Sequence, residues 1–286
     1  MKGFRFFIIA LLLILIVVGS IGLILSRPKK TDDTVIIILS PHYDDAVLSL
    51  GGFLAKHTHP SVVATFFTGE PALATSTPWD KQSGFSTSKE AIAARVKENN
   101  AALRMVGAEV KDFGYRDFQY RDHATSSEEQ LEQDVAQDIQ ALIASYGDKN
   151  VEVYAPSLFT SAITHPDHAL LHRAFKDVYE NYPKKNISFY SYEDYPYVQE
   201  FNKESKISLE KNLENDTGRI FDTQSIVLTS KNVHTKESSL EKYASQSKAF
   251  AVSSIDIVKS STEYTNNRCG TNVPCEVVYK LFRITD

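Results

Sequence analysis

Apolar runs typical of buried strands alternate along the chain with segments of helical periodicity. Strands are predicted at 34–39 (TVIIIL), 62–69, 151–156 and 187–193, with a short one in EVKDFGY (109–115). Helices are predicted at 44–56, 88–107 (capped by Ser88 and ended by Gly107), 127–146, 167–182 and 235–250, between the segments RIFDTQSIVLT (219–229) and CEVVYKLFRI (275–284). This alternation predicts a mostly parallel sheet with helices on both faces, an α/β three-layer sandwich.

The longest uninterrupted apolar stretch is FFIIALLLILIVVGSIGLIL, residues 6–25. It carries no charge, and about 20 apolar residues cross a bilayer as a helix. A cleaved signal peptide usually has an apolar region of only about 7–15 residues, followed by a small-residue cleavage site, and no clear Ala-x-Ala follows here. We expect residues 1–30 to form a single-pass N-terminal membrane anchor, with a cleaved leader and a secreted protein as the alternative, and residues 31–286 to form one domain.

Basic residues flank the apolar stretch on both sides, so they leave its membrane orientation open. Segment 1–30 holds five of the 31 basic residues and no acids, which leaves 26 basic against 36 acidic residues, a net charge of −10, for the rest of the chain. A body this acidic argues against nucleic acid, or an anionic membrane surface, as its main ligand.

The two cysteines stand close together in CGTNVPC, at Cys269 and Cys275. The spacing is not CxxC and no second pair exists, which argues against a cysteine zinc site. A disulfide closing a short loop would indicate an oxidising compartment, whereas two free thiols would indicate a reducing one. Together with the apolar leader, the pair favours an extracytoplasmic domain.

Ionisable side chains follow two of the predicted strands. His42, Asp44 and Asp45 come directly after strand 34–39, and THPDHALLH (164–172) comes after strand 151–156. In open parallel sheets, ligands bind beyond the carboxyl ends of the strands, so both clusters should reach the same edge.

His42, Asp45 and His168 form a two-histidine, one-carboxylate set of the kind that holds catalytic zinc and leaves one position for water. Asp44 could take a proton from that water, and His165 could polarise a carbonyl or stabilise an oxyanion. The alternative is structural, since an Asp–Asp pair at this position commonly caps a helix.

The remaining candidates carry weaker signals. His172 lies one helical turn beyond His168 and could support it, and Trp79, in the long loop 70–88, could stack on a sugar or anchor the loop. Four other histidines are interpreted as solvated surface residues: His57, His59, His123 and His234. The sequence has no HExxH, GxSxG or P-loop motif, and no GxGxxG after the first strand, so no dinucleotide cofactor is indicated.

With these residues in view, the chain resembles the PIG-L/LmbE family of zinc-dependent N-acetylglucosaminyl deacetylases. SPHYDDAVLSLGG (40–52) follows the family pattern (A/S)HPDDExxxxGG in spacing, and HPDH stands intact at 165–168. Weaker matches fall in the family's order: FTGE (67–70), RVKENNAALRMVGA (95–108), GYRDF (114–118), YEDYP (192–196) and KYASQ (242–246).

The resemblance implies a Rossmann-like (LmbE-like) fold without a dinucleotide, and one Zn²⁺ per chain held by His42, Asp45 and His168, another divalent ion being possible. It implies Asp44 as general base and later acid, and His165 near the oxyanion. Two positions depart from the pattern: Tyr43 replaces the proline, and Ala46 replaces the acid that follows the two aspartates.

The leading hypothesis is a membrane-anchored zinc hydrolase that removes the acetyl group from an N-acetylglucosamine-type sugar conjugate or glycan; an oligomer is possible. Alternatives are a non-catalytic carbohydrate-binding protein on the same scaffold, suggested by Ala46 and the acidic body, and an amidase of a sugar–thiol conjugate. Metal-dependent phosphoester hydrolysis is less favoured, because a two-metal site needs more bridging carboxylates than these motifs supply.

Overall fold

A computed structural model describes residues 33–282, except 72, 74, 123, 125–126, 158–164, 184, 201–220 and 271–272. The predicted anchor at 6–25 lies outside these residues, and no helix within them is long and apolar enough to cross a membrane.

A seven-stranded sheet forms the middle layer, in the order β3-β2-β1-β4-β5-β7-β6. Its strands are β1 (Thr34–Ser40), β2 (Ser61–Thr65), β3 (Glu109–Asp112), β4 (Asn150–Pro156), β5 (Ile187–Tyr192), β6 (Phe221–Val227) and β7 (Cys275–Leu281). Strands β1 to β5 are parallel, and β7 runs antiparallel to both of its neighbours. The mostly parallel sheet predicted from the sequence is therefore confirmed.

Helices cover both faces of the sheet. They are α1 (Asp45–Lys56), α2 (Pro78–Ser83), α3 (Ser88–Val106), α4 (Glu128–Ala144), α5 (Pro166–Asn181), α6 (Ser230–Leu240), α7 (Ala244–Val252) and α8 (Ile257–Asn267), with short 3-10 turns at Phe118–Tyr120 and Tyr197–Glu200.

Strand β1 shows why its sequence is continuously apolar. Ile36 and Ile38 pack into the core beneath α1 and α3, whereas Ile37 and Leu39 pack into the core beneath α4 and α5. A strand buried on both faces has no solvent side on which polar residues could alternate. The three-layer architecture thus follows from the pattern at 34–39.

Three local predictions need correction. Thr87, not Ser88, caps α3 through a capping box with Glu90, while Ser88 is the first helical residue. The single helix predicted at 235–250 is two, α6 and α7, because the break leaves Tyr243 buried, with its hydroxyl donating to the Tyr43 carbonyl over 2.9 Å. The segment 70–88 is not all loop, since it contains α2.

One feature was not predicted from the sequence, and another was left open. Helix α8 was not predicted at all. Cys269 and Cys275 form a disulfide, with their Cα atoms 5.9 Å apart.

Candidate metal centre and active site

The strand order places both ionisable clusters at one crevice. Strand β1 has β2 on one side and β4 on the other, so the chain direction across the sheet reverses between β1 and β4. A crevice opens at the carboxyl ends of the two strands flanking such a switch point. His42 follows β1 by two residues, and α5, which carries His168, follows β4 in the chain.

The three predicted ligands converge on a nearly equilateral triangle. Nδ1 of His42 lies 3.3 Å from Oδ2 of Asp45, which lies 3.2 Å from Nε2 of His168. The third side, between His168 Nε2 and His42 Nδ1, is 3.3 Å. A tetrahedral ion with bonds of about 2.0–2.2 Å holds its ligand atoms about 3.3–3.6 Å apart. The triangle therefore fits one small divalent cation.

Each imidazole in the triangle uses its other nitrogen to contact a carboxylate. Nε2 of His42 is 3.0 Å from Oδ2 of Asp167, and Nδ1 of His168 is 2.6 Å from Oδ2 of Asp194. If those nitrogens donate N–H groups to the carboxylates, His42 presents Nδ1 and His168 presents Nε2 to the triangle. Carboxylates placed in this way orient metal-binding imidazoles and raise their basicity.

The carboxylates also draw positive charge into the triangle. Burial alone would lower the pKa of His168, but Asp194 and Asp45 raise it to about 10. Burial likewise opposes protonation of His42, yet the charge of Asp117 and the contacts with Asp167 and Asp45 raise its pKa well above the usual range. A cation bound at the triangle would replace those protons, so the electrostatics agree with the geometry.

Asp44 is positioned as a free carboxylate and not as a helix cap. It occupies the N-cap of α1, but its side chain makes no capping hydrogen bond. Burial, with a further contribution from the charge of Asp45, raises its pKa to about 7. The structural alternative for the Asp–Asp pair is therefore wrong for Asp44, whose carboxyl lines the cavity beside the triangle.

His165 lines the same cavity from its other side. It caps α5, with Nδ1 accepting from the Asp167 amide over 3.3 Å, and its ring stands edge-on 4.7 Å from that of His42. Burial and the neighbouring His42 lower its pKa to about 3, so the ring is neutral near pH 7. A neutral imidazole can donate a hydrogen bond to a developing oxyanion.

Sequence reasoning gave no role to four residues that complete the site. Asp167 is fully buried, and its Oδ1 lies 2.6 Å from the Arg121 guanidinium. Asp117 Oδ2 lies 3.9 Å from His42 Nε2, and Asp194 holds His168 as described above. Asp167, Asp117 and Asp194 stand inside the quoted motifs HPDH, GYRDF and YEDYP, which is the signal that could have found them, whereas Arg121 lies outside every motif.

The other histidines separate into three cases. His172 is buried, with Nδ1 2.8 Å from the Pro156 carbonyl oxygen, so it contacts the end of β4 and not the triangle. His57 and His59 are half-buried, which corrects the surface interpretation, and burial lowers the pKa of His57 to about 4. His234 is exposed as predicted, and His123 lies outside the described residues.

Both departures from the family pattern lie in the core. Tyr43 is 5% exposed and Ala46 is fully buried, with the Ala46 amide donating to Ser40 Oγ over 3.1 Å. Neither residue supplies a triangle atom, so the ligand set is unaffected by them.

Trp79, on α2, lines the cavity that contains the triangle. Its Nε1 donates to Gln246 Oε1 over 3.0 Å, and its ring meets the Phe250 ring edge-on at 5.3 Å. It is therefore a fixed part of the cavity wall.

Several solved structures share this fold. The A40926 pseudoaglycone deacetylase Dbv21 superposes with a TM-score of 0.67 at 22% identity, covering 87% of this chain and 97% of its own. The zinc-inhibited form of the teicoplanin deacetylase Orf2 gives 0.66 at 23% identity, covering 88% and 99%. The N,N'-diacetylchitobiose deacetylase of Pyrococcus horikoshii gives 0.56 at 15% identity, covering 90% and 86%. Identities this low establish the fold alone.

Sequence comparison identifies the family. Comparison with curated proteins gave no match. The family profile described as "PIG-L: GlcNAc-PI de-N-acetylase" matches residues 37–179, half of the chain, and spans both motifs that supply the triangle. The chain therefore belongs to the PIG-L family of N-deacetylases.

Proposed function

We propose that this protein is a zinc-dependent hydrolase that removes the acetyl group from an N-acetylglucosamine-type sugar conjugate. The observation that carries the proposal is the triangle of His42, Asp45 and His168, with sides of 3.2–3.3 Å, at the open end of the crevice. Two imidazoles and one carboxylate suit Zn²⁺, although other divalent ions also accept these ligands. Membership of the PIG-L family and the deacetylases among the structural neighbours support removal of an acetyl group as the reaction.

A bound zinc ion would polarise the amide carbonyl and acidify a water molecule. Asp44 would take a proton from the attacking water molecule as the water oxygen bonds to the carbonyl carbon. His165 donates a hydrogen bond to the oxygen that gains negative charge. Asp44 then gives the proton to the amide nitrogen as the C–N bond breaks, so that acetate and a free amino sugar leave.

Asp167 and Asp194 support this chemistry from behind the ligands. Their contacts with Nε2 of His42 and Nδ1 of His168 would leave the opposite ring nitrogens for the ion, and Arg121 neutralises part of the charge of Asp167. Asp194 and Asp167 are almost fully buried, so water does not compete for these contacts.

The proposal also places the domain at a membrane through residues 6–25, on its extracytoplasmic side. The anchor rests on the apolar length of that segment, and the extracytoplasmic side rests on the Cys269–Cys275 disulfide. Fractionation of cells that express the full chain, with protease added to intact cells, tests it: a protein in the soluble fraction, or one protected from the protease, would refute it.

The decisive experiment is a substrate panel assayed with the purified full chain after chelation and after zinc is restored. The panel contains N-acetylglucosamine, diacetylchitobiose and a thiol-linked N-acetylglucosamine conjugate, and released acetate and free amine are both measured. We expect release only with metal, and loss of release in Asp44→Asn but not in the exposed control Asp148→Asn. Binding without any release would favour the carbohydrate-binding alternative, and release from the thiol conjugate alone would favour the amidase.

A further inference from the structure

The cavity that holds the triangle extends well beyond it. It has a volume of about 390 Å³, within the range of about 300–1,000 Å³ that is usual for small-molecule sites. Part of its lining is apolar and supplies no atom to the triangle: Leu48, Ile92, Trp79 and Phe250. We call this part the Trp79 wall. An acetyl group and a water molecule do not need this space.

Polar groups around the Trp79 wall are engaged with one another. Trp79 Nε1 donates to Gln246, Thr77 Oγ1 donates to Gln119 over 2.6 Å, and Gln119 Nε2 donates to Asp117 over 2.7 Å. A ligand rich in hydroxyl groups would have to break these bonds or leave its own groups unpaired, which is unfavourable in a buried site. The wall therefore suits an apolar group.

The charged residues that line the cavity also argue for an uncharged ligand. Among the cavity-lining residues that the structure describes, the only arginine or lysine is Arg95, and its guanidinium is 3.0 Å from the buried Asp80 carboxylate. The cavity also presents the carboxylates of Asp44, Asp45 and Asp117. An anionic substituent such as a phosphate would find no available cation along the Trp79 wall, and the carboxylates beside the triangle would repel it.

The Trp79 wall is held in place before any ligand arrives. Asp80, next to Trp79, is completely buried and accepts from the Tyr120 hydroxyl over 2.6 Å and from Ser88 Oγ over 2.7 Å. With the Arg95 ion pair, these bonds fix the short helix α2 against α3. A preformed wall loses little conformational entropy when a ligand binds.

The position of Asp44 indicates which part of the substrate reaches the wall. Leu48 lies one helical turn beyond Asp44 on α1, so this part of the cavity begins beside the Asp44 carboxyl. In the proposed function, Asp44 protonates the leaving amine and must therefore lie next to the amine-bearing component. The space past Asp44 is then occupied by what the amino sugar carries and not by the acyl group.

We infer that the Trp79 wall binds an uncharged, apolar group attached to the amino sugar, so that the substrate is a glycoside with an apolar aglycone. This inference rests on the proposed function and goes beyond it by naming the class of conjugate.

Binding can be followed directly, because Trp79 is the only tryptophan in the chain. The zinc-loaded full chain is titrated with methyl β-glucoside, hexyl β-glucoside and glucose 1-phosphate, none of which carries an amide, while tryptophan fluorescence is recorded. We expect the hexyl glycoside to bind at least about tenfold more tightly than the methyl glycoside, since each buried methylene adds affinity. Glucose 1-phosphate should bind no better than the methyl glycoside.

Variants then locate the effect. Trp79→Phe and Phe250→Ala, measured by calorimetry, should reduce the preference for hexyl over methyl several-fold. Val252→Ala provides a matched control, because Val252 lies two residues from Phe250 on α7 but is 61% exposed. Thermal unfolding of each variant separates lost binding from lost folding. Equal binding of methyl and hexyl glycosides, or an unchanged preference in folded Phe250→Ala, overturns the inference.

A kinetic arm compares N-acetyl with N-hexanoyl glucosamine, and methyl with hexyl glycosides of N-acetylglucosamine. A lower KM along the glycoside series alone supports the inference, and a lower KM along the acyl series alone overturns it by assigning the wall to the acyl chain. Acetate release without chain-length dependence overturns the inference but leaves the proposed function. Chain-length-dependent binding without acetate release supports the apolar subsite and overturns the proposed function.

Discussion

Helix α1 connects two buried clusters of charge that differ in kind. Its N-terminus meets the metal triangle, and its second half meets a cluster made by Glu276 of β7 and Lys236 of α6. We call the latter the Glu276 cluster. Glu276 and Lys236 are buried, as are Asp45 and His168 in the triangle, where only His42 is partly exposed, and both clusters contact the segment 40–52.

In the Glu276 cluster, both carboxylate oxygens have partners. Oε1 accepts from the Gly52 amide over 2.9 Å and from Lys236 Nζ over 2.9 Å, while Oε2 accepts from the Phe53 amide over 2.7 Å. These amides are available because α1 is distorted at Leu50, where φ is −128° and ψ is 19°. A carboxylate paired in this way stabilises the helix, and its charge is already balanced by the Lys236 ammonium.

In the metal triangle the pairing is incomplete. Four carboxylates surround two imidazoles and the one guanidinium of Arg121, and Oδ1 of Asp194 is buried with no hydrogen-bond partner among the described residues. The comparison shows that burial of charge does not by itself mark a functional site. A functional site is instead marked by acceptor atoms that converge on one point and are not neutralised by the positive charges of the protein.

The largest effect should come from removing one ligand of the triangle. Asp45→Ala leaves two imidazoles, which bind zinc too weakly to retain it through purification. We expect metal content below one tenth of wild type and a loss of acetate release of about 10³-fold or more, since the ion supplies several kcal/mol of transition-state stabilisation. Elemental analysis and the deacetylase assay measure both, with Asp148→Ala as the exposed control. Full activity in metal-free Asp45→Ala would refute the assignment of the triangle.

The Glu276 cluster should respond in the opposite way. Glu276→Gln leaves the Lys236 ammonium buried beside a neutral amide, which should lower the free energy of unfolding by about 3–5 kcal/mol. Metal content should remain at the wild-type level in the folded protein. Chemical denaturation and elemental analysis test this.

The double variant Lys236→Met, Glu276→Gln is the control for the buried charge, because it removes the unpaired ammonium and should recover part of the stability. A folded Glu276→Gln protein of normal stability that has lost its metal would erase the distinction between the two clusters.

The same distinction explains which parts of the molecule could be predicted from the sequence. Strand β1 and the residues His42, Asp44 and Asp45 lie in one short segment, so apolar length and local spacing were enough to place them. Helix α2 could have been found too, because Thr77, Pro78 and Asp80 form a capping box with proline at the first helical position.

What could not be predicted depends on partners far apart in the chain. Asp194 lies 26 residues after His168, and Glu276 lies 40 residues after Lys236, so no periodic pattern joins either pair. The break between α6 and α7 is set by Tyr243 reaching Tyr43, 200 residues earlier. Such contacts form only once the sheet order is fixed, which the sequence pattern leaves undetermined.

A smaller effect is expected from the carboxylate behind His42. Asp167→Asn keeps the shape of the side chain but removes the charge that holds both His42 and the buried Arg121. We expect zinc affinity to fall about 10–100-fold, as is usual when a partner of a metal ligand is changed. Competition with a chelating dye measures it.

Helix α5 offers a matched control for this change. Arg173→Gln breaks the exposed ion pair with Glu132, whose atoms are 2.6 Å apart, and should leave zinc affinity unchanged. An equal loss of affinity in both variants would mean that the effect of Asp167 is a general loss of helix stability and not an orientation of His42.

The pH dependence of zinc binding also separates the two clusters, and it does so without any substitution. The pKa of His168 is raised to about 10 because Asp194 and Asp45 outweigh burial, so the metal-free ring is protonated at neutral pH. Zinc must displace that proton and also the proton on His42, whose pKa is raised as well, so its affinity should fall more than tenfold for each unit that the pH falls between 8 and 6. In Asp194→Asn, the largest contribution that raises this pKa is lost, and the slope should become shallower even though affinity at pH 8 also decreases.

Glu276→Gln should keep the wild-type slope, because its cluster takes no part in the exchange of a proton for an ion. A wild-type affinity that is the same at pH 6 and pH 8 would mean that the imidazoles carry no displaceable proton, and that the charges around the triangle are balanced internally, as Glu276 and Lys236 balance each other.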